Sequence, residues 1–253
     1  MKDIVLKTKD LCKSFANNGL QNHILDEVNL EIYKGDFTVI MGASGAGKST
    51  LLYCLSGMDT ITSGSVLFEG EAIEKKKEKE MSVLRAKAFG FVFQQIHLVS
   101  NLTMLENILA SGYLIKEKTA KQVKEKAMHL LETVNMKEAA MRLPSQVSGG
   151  EAQRAAIARA LINEPKLIFA DEPTGALNRK NGSDVLDLFT KFHNKGQSII
   201  MVTHDIKTAL RASRLLYLSD GQIKGDMSLA PYDGQMLKER EMQIQSWLMS
   251  MEW

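Results

Sequence analysis

Residues 42–49 read GASGAGKS and fit the phosphate-loop pattern G-x-x-x-x-G-K-[ST] at every fixed position. A β-rich run precedes the loop and a helical pattern follows it, which is the context that this pattern requires. Glycines allow successive backbone N–H groups to turn inward around phosphate oxygens, and a helix N-terminus adds its positive end. Lys48 would place a point charge on the β- and γ-phosphates, and the Ser49 hydroxyl is a natural ligand for Mg²⁺. These residues predict a nucleotide phosphate site rather than a chance glycine-rich turn.

A pair of neighbouring carboxylates supports this prediction. The hydrophobic run 167–170 predicts a buried strand, and it leads directly into Asp171 and Glu172. A carboxylate at a strand tip can hold Mg²⁺, directly or through water, and the next carboxylate can polarise an attacking water. In-line hydrolysis at a phosphate needs both roles, because the protein mostly positions groups and stabilises charge.

Two further polar residues follow apolar runs. His204 comes after SIIMVT, and a histidine at the C-terminal tip of a strand faces the ligand crevice of an open α/β sheet. Alone it would be interpreted as a loop histidine with ordinary partners, but beside a nucleotide site a ligand contact is favoured. Gln94 follows the apolar run Phe89–Phe93, and by itself that position indicates no function.

A second glycine turn lies at residues 147–151, which read VSGGE and lead into an alanine-rich helical pattern. Backbone N–H groups and a helix N-terminus form an anion site in such a turn. This turn lacks a lysine, which argues against an independent nucleotide site. Its residues alone leave its ligand open.

The elements that would position these motifs follow from hydrophobic periodicity. A polar turn is predicted at 16–23, and Pro144 ends a long helical region. Strand, helix and strand in succession imply a parallel sheet with crossover connections, and therefore an α/β fold. The predicted strands are 4–10, 24–32, 36–41, 64–69, 167–170 and 199–202, and the predicted helical stretches are 50–57, 104–142 and 184–192.

The last stretch of the chain, 231–253, carries an apolar stripe at helical spacing. Ile244, Trp247, Leu248 and Met251 stand at i, i+3, i+4 and i+7. This pattern predicts an amphipathic helix docked on the body of the protein, and a membrane or partner contact is the alternative.

Composition limits the possible partners and location. The 253 residues are 44% hydrophobic and 25% charged, which is ordinary for a globular protein. The net charge of +2 gives no electrostatic reason to expect nucleic-acid binding. No apolar run is long enough to span a bilayer, and the N-terminus lacks the apolar core of a signal peptide. With only Cys12 and Cys54 as cysteines, no disulfide framework is indicated, so we expect a cytosolic protein.

Together these motifs resemble the ATP-binding subunit of an ABC transporter, over nearly the whole chain to about residue 225. The Walker A motif is GASGAGKS, Walker B is LIFADE, and the signature LSGGQ is represented by VSGGE. The resemblance implies that Glu172 is the catalytic base, with Gln94 and His204 as the other catalytic positions. It implies Mg²⁺ contacts from Ser49, Gln94 and Asp171.

The resemblance also implies contacts to ATP from the phosphate loop, the signature turn and one aromatic residue. In this family an aromatic side chain stacks on adenine, and Phe15 in KSFANNG takes that place, where tyrosine is commoner. The implied nucleotide contacts are Phe15, Gly42, Ala43, Ser44, Gly45, Ala46, Gly47, Lys48, Ser49, Thr50, Ser148, Gly149, Gly150 and Glu151.

The implied fold is a P-loop NTPase, with a RecA-like core, an antiparallel β subdomain and an inserted helical subdomain. The core would comprise 1–95 and 161–230, the helical subdomain with the signature 96–160, and the C-terminal tail 231–253. In the family two subunits pair head to tail as an ATP-sandwich homodimer. Each ATP lies between the Walker A motif of one subunit and the signature of the other, which would explain a second turn without a lysine.

Three positions depart from the family pattern. Glu151 replaces the usual glutamine and adds a carboxylate to a phosphate-binding turn. Asn178 replaces the D-loop aspartate; it keeps an acceptor and adds a donor but loses the charge, a change that bears on coupling between subunits. Phe15 provides stacking without a hydroxyl. Because Glu172 and His204 are both present, we expect an active ATPase.

Within the family, MGASGAGKSTLLYCLSGMDTITSGSV and FADEPTGAL look most like the ATPases of lipoprotein-release, macrolide-export and bacitracin-resistance systems. That group implies a separate integral membrane permease, with this chain cytoplasmic and peripheral on the inner face of the membrane. Residues 96–107 would couple to the permease, although their apolar side chains could equally be core. The implied function is export of, or resistance to, antimicrobial peptides or antibiotics.

Two other classes of ABC protein remain as alternatives. One is a regulatory ATPase of the cell-division type, which drives a non-transporting membrane partner. The other is an ABC ATPase of DNA repair or translation, which usually has a long coiled-coil insertion or two tandem cassettes. The sequence shows neither of these features and no basic stripe, which favours the transporter class.

Overall fold

The computed structural model describes residues 3–17, 20–251 and 253. The chain divides into two compact units, a first unit of 1–81 with 193–253 and a second unit of 82–192. Both units combine helices with strands, so the predicted α/β class is confirmed.

The strands of the described residues are mostly three to seven residues long, with two longer ones at the N-terminus. They are β1 (Ile4–Asn17), β2 (Leu20–Val28), β3 (Glu31–Tyr33), β4 (Phe37–Met41), β5 (Ser63–Phe68), β6 (Glu71–Ala72), β7 (Phe89–Phe93), β8 (Leu167–Asp171), β9 (Ser198–Val202), β10 (Arg214–Ser219) and β11 (Gln222–Ser228). The α-helices are α1 (Lys48–Leu55), α2 (Glu78–Ala88), α3 (Met104–Gly112), α4 (Ala120–Thr133), α5 (Gly149–Leu161), α6 (Arg179–His193), α7 (Ile206–Ala209) and α8 (Leu237–Met249). Short 3-10 turns cover Lys137–Ala139 and Pro144–Gln146.

The first unit contains an antiparallel sheet and a mainly parallel one. The antiparallel sheet runs β2-β1-β5-β6, with β3 also paired to β1. In the parallel part β4 lies between β10 and β9, and β11 pairs antiparallel with β10. Every residue of β4 is buried, as expected for a strand covered on both faces. Since parallel strands end on the same side of a sheet, β4, β9 and β10 bring their following loops to one edge.

The second unit is built on the parallel pair β7 and β8 with helices α3 to α6. Aromatic rings join the two strands, and the rings of Phe91 and Phe169 stack with their centroids 5.6 Å apart. The predicted helical region 104–142 holds α3 and α4. Its apolar periodicity is confirmed, because Val123, Ala127, Leu130 and Leu131 are all buried.

The C-terminal helix α8 docks on the first unit, as its apolar stripe predicts. Ile244 and Leu248 are fully buried, and burying each such side chain contributes about 1.5–3 kcal/mol. Gly225 on β11 faces the side chains of Trp247 and Met251 so closely that an added Cβ would lie 2.8 Å from the indole. The apolar stripe of α8 therefore packs against its own chain.

One predicted loop is shorter than its sequence suggested. The polar segment 16–23 was predicted as a turn, but β1 continues to Asn17 and β2 begins at Leu20. Their pairing aligns Phe15 with Asn22 and Ser14 with His23. A two-stranded extension with few apolar residues has the composition of a loop, so periodicity could not reveal it.

The predicted subdomain boundaries at residues 95, 160 and 230 stay a prediction.

Among the described residues, no helix has the length and hydrophobicity needed to cross a bilayer.

Candidate active site

The phosphate loop connects the buried strand β4 to helix α1. Gly47 caps α1 with a left-handed φ of 97°, and an added Cβ would lie 3.0 Å from the carbonyl oxygen of Ile24. An added Cβ at Gly42 would collide with the carbonyl oxygen of Leu218. Glycine is needed at both positions, the first for its conformation and the second for the close approach. Gly47 itself makes no side-chain cap bond to the first turn of α1.

Lys48 is folded over this loop. Its side chain is 8% exposed, and its Nζ donates to the carbonyl oxygens of Gly42 at 2.9 Å and Ala43 at 2.8 Å. The loop residues 43–45 are exposed, whereas Ser49 and Thr50 are half-buried in the first turn of α1. A buried ammonium at the start of a helix adds its charge to the helix dipole, so both attract an anion to this loop.

His204 lies at the same edge of the first unit as the phosphate loop. Val202 at the end of β9 aligns with Ile40 of β4, and Thr203 N donates to Ile40 O at 3.1 Å. His204 is exposed immediately beyond this pairing. Asp205 then caps α7 by accepting from the N–H groups of the helix, which fixes where the chain turns.

Phe15 is an exposed aromatic of the first unit. Its side chain is 45% exposed, and the Nζ of Lys13 stands 4.7 Å from the ring centroid. Lys13 is itself held by Asp59 Oδ1 at 2.7 Å and by Thr60 O at 2.6 Å. The ring is thus fixed by a cation and retains area on which an adenine could stack.

The carboxylates and Gln94 come together at one edge of the second unit, which we call the catalytic edge: the C-terminal ends of β7 and β8. The parallel register pairs Phe93 with Asp171, so Gln94 and Glu172 leave adjacent strands at the same level. Asp171 is buried, Glu172 half-buried and Gln94 exposed. Glu172 has a φ of 44°, a left-handed backbone that is costly for a residue other than glycine.

The loop after Glu172 is packed against Gln94. An added Cβ at Gly175 would lie 2.9 Å from Gln94 Nε2 and 3.1 Å from its Cδ, so the missing side chain makes room for the glutamine. Gly175 N donates to Glu172 O at 3.0 Å, which closes the turn. Asn178 caps α6 by accepting from Asn181 N at 2.9 Å. Its side chain therefore has a structural role within its own chain.

The signature turn, residues 147–151, forms a reciprocal capping box at the start of α5. Ser148 Oγ accepts from Glu151 N at 3.3 Å, while Glu151 Oε2 accepts from Ser148 N at 2.8 Å and from Ser148 Oγ at 2.7 Å. These bonds hold the pKa of Glu151 below its usual value of 4.5, and the charges of Arg154 and Arg142 act in the same direction. Ser148 and Gly149 are exposed. The carboxylate thus points back to the helix end.

The capping role of Glu151 was not predicted from the sequence. The spacing S-x-x-E at 148–151 is itself the sequence pattern of a capping box, so the signal was present. The sequence also gave no reason to connect Gly175 with Gln94, because 81 positions separate them. The structure gathers Lys48, Ser49 and His204 in the first unit and Gln94, Asp171 and Glu172 in the second; their catalytic roles stay predictions.

Comparisons with known proteins identify the family. The profile of the ABC transporter family matches residues 25–175. The dimeric ATP-binding cassette MJ0796, solved in a post-hydrolysis state with ADP and Pi, is 35% identical, with a TM-score of 0.83 and coverage of 90% of this chain and 100% of that one. The cbiO1 protein of Clostridium perfringens, part of the ABC transporter complex cbiONQ, is 25% identical, with a TM-score of 0.80 and coverage of 98% and 96%.

A third solved structure agrees with this assignment. The ATP-binding cassette MJ1267 in its ADP conformation is 26% identical, with a TM-score of 0.76 and coverage of 93% of this chain and 95% of that chain. The chain therefore belongs to the ABC transporter family, with the RecA-like P-loop fold of its cassettes, and it is an ATP-hydrolysing cassette.

Proposed function

We propose that this chain hydrolyses ATP as a head-to-tail dimer and thereby powers a separate membrane permease. The observation that carries the proposal is the phosphate loop, where a buried lysine ammonium stands over a glycine turn at an uncapped helix end. That arrangement favours a phosphate group. The dimer is supported by MJ0796, a bacterial ABC transporter cassette with a dimeric structure.

In the binding step the ammonium of Lys48 exchanges its bonds to Gly42 and Ala43 carbonyls for bonds to the β- and γ-phosphates. A charged phosphate is a stronger acceptor than a carbonyl, which favours the exchange. Phe15 stacks on the adenine. The loop N–H groups and the N-terminus of α1 then hold the phosphates in place.

The residues expected to hold magnesium carry oxygen donors of the right type. Ser49 offers a hydroxyl in the first turn of α1 and Asp171 a carboxylate at the end of β8, and Mg²⁺ prefers such hard oxygen ligands beside phosphates. When bound, the ion neutralises charge on the β- and γ-phosphates.

Hydrolysis requires a positioned water. Glu172 accepts a hydrogen bond from that water, whose oxygen attacks the γ-phosphorus as the bond to the β–γ bridging oxygen breaks. The products are ADP and inorganic phosphate, and the water proton passes to the carboxylate or the released phosphate. Gln94 and His204 contact the γ-phosphate and sense its loss, and the signature turn of the second subunit closes the site from the other side.

The test is the variant Glu172→Gln, which keeps the size of the side chain but removes the base. ATP binding should be retained, whereas turnover should fall about 100- to 10,000-fold and ATP-bound dimers should accumulate. Glu132→Gln, the same change at an exposed position of α4, is the matched control and should hydrolyse normally. Wild-type turnover in Glu172→Gln would rule out this assignment.

The cbiO1 neighbour is described as part of a transporter complex, which supports a membrane partner for this chain as well. We further propose that the partner serves antimicrobial peptide or antibiotic export or resistance, on the resemblance of the segment FADEPTGAL. The chain would then act on the cytoplasmic face of the membrane. A host lacking the chain should become sensitive to peptide antibiotics such as bacitracin. Normal resistance with a division defect would instead favour the cell-division type.

A further inference from the structure

Gln153 occupies an unusual position on helix α5, five residues after Ser148 of the signature turn. Its side chain is almost completely buried, with 1% exposed. Its amide nitrogen donates to Phe93 O at 3.0 Å and to Pro173 O at 2.9 Å. Both partners are carbonyl oxygens, which only accept hydrogen bonds, so the NH₂ group of the amide must face them.

These two carbonyls flank the catalytic edge. Phe93 is the residue before Gln94, and Pro173 is the residue after Glu172. The parallel ladder between β7 and β8 extends only to the pair Phe93–Asp171. At the end of the ladder, the carboxamide of Gln153 bonds to the carbonyl of the last residue of β7 and to that of Pro173 beyond β8.

The backbone at Glu172 gives the contact a further role. Its φ of 44° is a strained conformation, and such conformations persist only where the surroundings impose them. The bond from Gly175 N to Glu172 O restrains one side of this residue, and the bond from Gln153 to Pro173 O restrains the next carbonyl. Together they fix the direction in which the carboxylate leaves the strand.

The same helix also holds the segment after Gln94. The guanidinium of Arg159 donates to His97 O at 2.6 Å and to Ile96 O at 3.0 Å. Helix α5 thus contacts the backbone on both sides of Gln94, through Gln153 before it and Arg159 after it. A rigid helix that begins at the signature turn is in this way attached to the catalytic edge of its own chain.

We propose that Gln153 is a positioning residue for hydrolysis: it sets the geometry of Gln94 and Glu172 and ties that geometry to the signature helix of the same chain. Binding of a nucleotide at the signature turn then changes the geometry of Gln94 and Glu172 in the same chain. This inference rests on the proposed ATP-sandwich dimer, in which the signature turn meets the nucleotide of the other subunit.

The test is Gln153→Met, which keeps the length of the side chain and removes both donors. The kcat for ATP hydrolysis should fall about 100-fold, as expected when a reacting group is displaced by about 1 Å. The affinity for ATP should be unchanged, because Lys48 and its loop are unaltered. With the signature turn intact and hydrolysis slow, ATP-bound dimers should accumulate without any change at Glu172.

Asn163 provides a matched control just beyond the C-terminal end of α5, which ends at Leu161. Its amide also donates to two backbone carbonyls, Ala86 O and Ser111 O, each at 3.0 Å. Asn163→Leu likewise removes two side-chain hydrogen bonds to backbone carbonyls, so thermal unfolding of both variants measures the loss of stability that such a change causes. Only Gln153→Met should lose kcat, since the carbonyls held by Asn163 do not adjoin the catalytic edge.

Gln153→Glu provides a second variant that keeps the volume of the side chain and can donate one hydrogen bond at most. Since an ionised carboxylate is repelled by both carbonyl oxygens, the kcat of Gln153→Glu should fall at least as far as that of Gln153→Met. Wild-type kcat in either Gln153 variant, or equal losses of kcat in Gln153→Met and Asn163→Leu, would overturn the inference. A wild-type protein that neither hydrolyses ATP nor dimerises with it would instead refute the proposed function.

Discussion

The phosphate loop and the signature turn are both glycine turns that open onto a helix, but they close their helices in opposite ways. The N-cap residue of α1 is Gly47, which has no side chain to cap the helix. The next residue, Lys48, is buried. At α5 the end residue is Ser148, and a glutamate three residues later completes a capping box. One turn presents a cation and an open helix end, and the other presents a carboxylate and a closed end.

This difference explains what each turn can bind. A phosphate meets the charge of Lys48 and the positive end of the helix dipole at the first turn, so that turn can hold a nucleotide without help. At the second turn the carboxylate of Glu151 already compensates the positive end of the helix dipole. Its bonds to Ser148 lower its pKa and keep it ionised. On the proposed dimer, a phosphate would be accepted there only when another group already holds and neutralises it. Lys48 of a second subunit, with its magnesium, would be such a group.

The largest effect on binding is expected for Lys48→Ala at the phosphate loop. Loss of two charged hydrogen bonds to phosphate should cost about 3 kcal/mol, which weakens ATP binding about 100-fold. A fluorescent ATP analogue would measure the affinity, with Lys195→Ala as a control at an exposed lysine of the same unit. Unchanged affinity in Lys48→Ala would mean that the loop does not bind phosphate.

The second largest effect should come from Ser148→Arg, which fills the space in front of the signature turn. ATP should still bind the monomer, but ATP-driven dimerisation should be lost, as measured by size-exclusion chromatography in the Glu172→Gln background. Thr119→Arg is the matched control, because Thr119 caps α4 through the same kind of box with Gln122. If both variants dimerise alike, the signature turn has no role between subunits.

A smaller, opposite effect is expected for Glu151→Gln. The box should survive, since Gln122 already makes the same contact to Thr119 N at 2.8 Å. Removal of one negative charge beside the shared phosphate should favour closure by about 1 kcal/mol, or about fivefold in the ATP concentration at half-maximal dimerisation. Glu106→Gln, in the equivalent box of α3, should leave dimerisation unchanged. Weaker closure in Glu151→Gln would show that the carboxylate assists the contact.

The smallest effect concerns pH. Because the pKa of Glu151 is lowered in the folded protein, its contribution to stability is fully present above about pH 4.5 and is lost as the pH falls through the lower folded value. Thermal unfolding of wild type and Glu151→Gln should therefore differ by a constant amount between pH 6 and 8, and the difference should shrink in acid. A difference that varies between pH 6 and 8 would point to another titrating group.

Much of the fold could be read from local patterns. The strands β4, β8 and β9 and the helix α4 follow directly from apolar periodicity, because each buries a regular set of positions. The extension of β1 and β2 into the expected turn could not be predicted, since its sequence carries no apolar alternation. The same holds for the site: Lys48 is marked by a motif, whereas nothing near Gln153 marks it.

Short stretches of the sequence are enough to identify the chemical groups of this protein: a phosphate loop with its lysine, two carboxylates after a strand, a histidine after another, and a second turn without a cation. Each depends on a few adjacent residues, so local spacing is enough. The tertiary structure decided that Glu151 caps its own helix, that Gly175 makes room for Gln94, and that Gln153 joins Phe93 to Pro173. The last contacts span 60 and 20 positions, and only the packing of strands and helices brings such distant backbone groups within reach of one side chain.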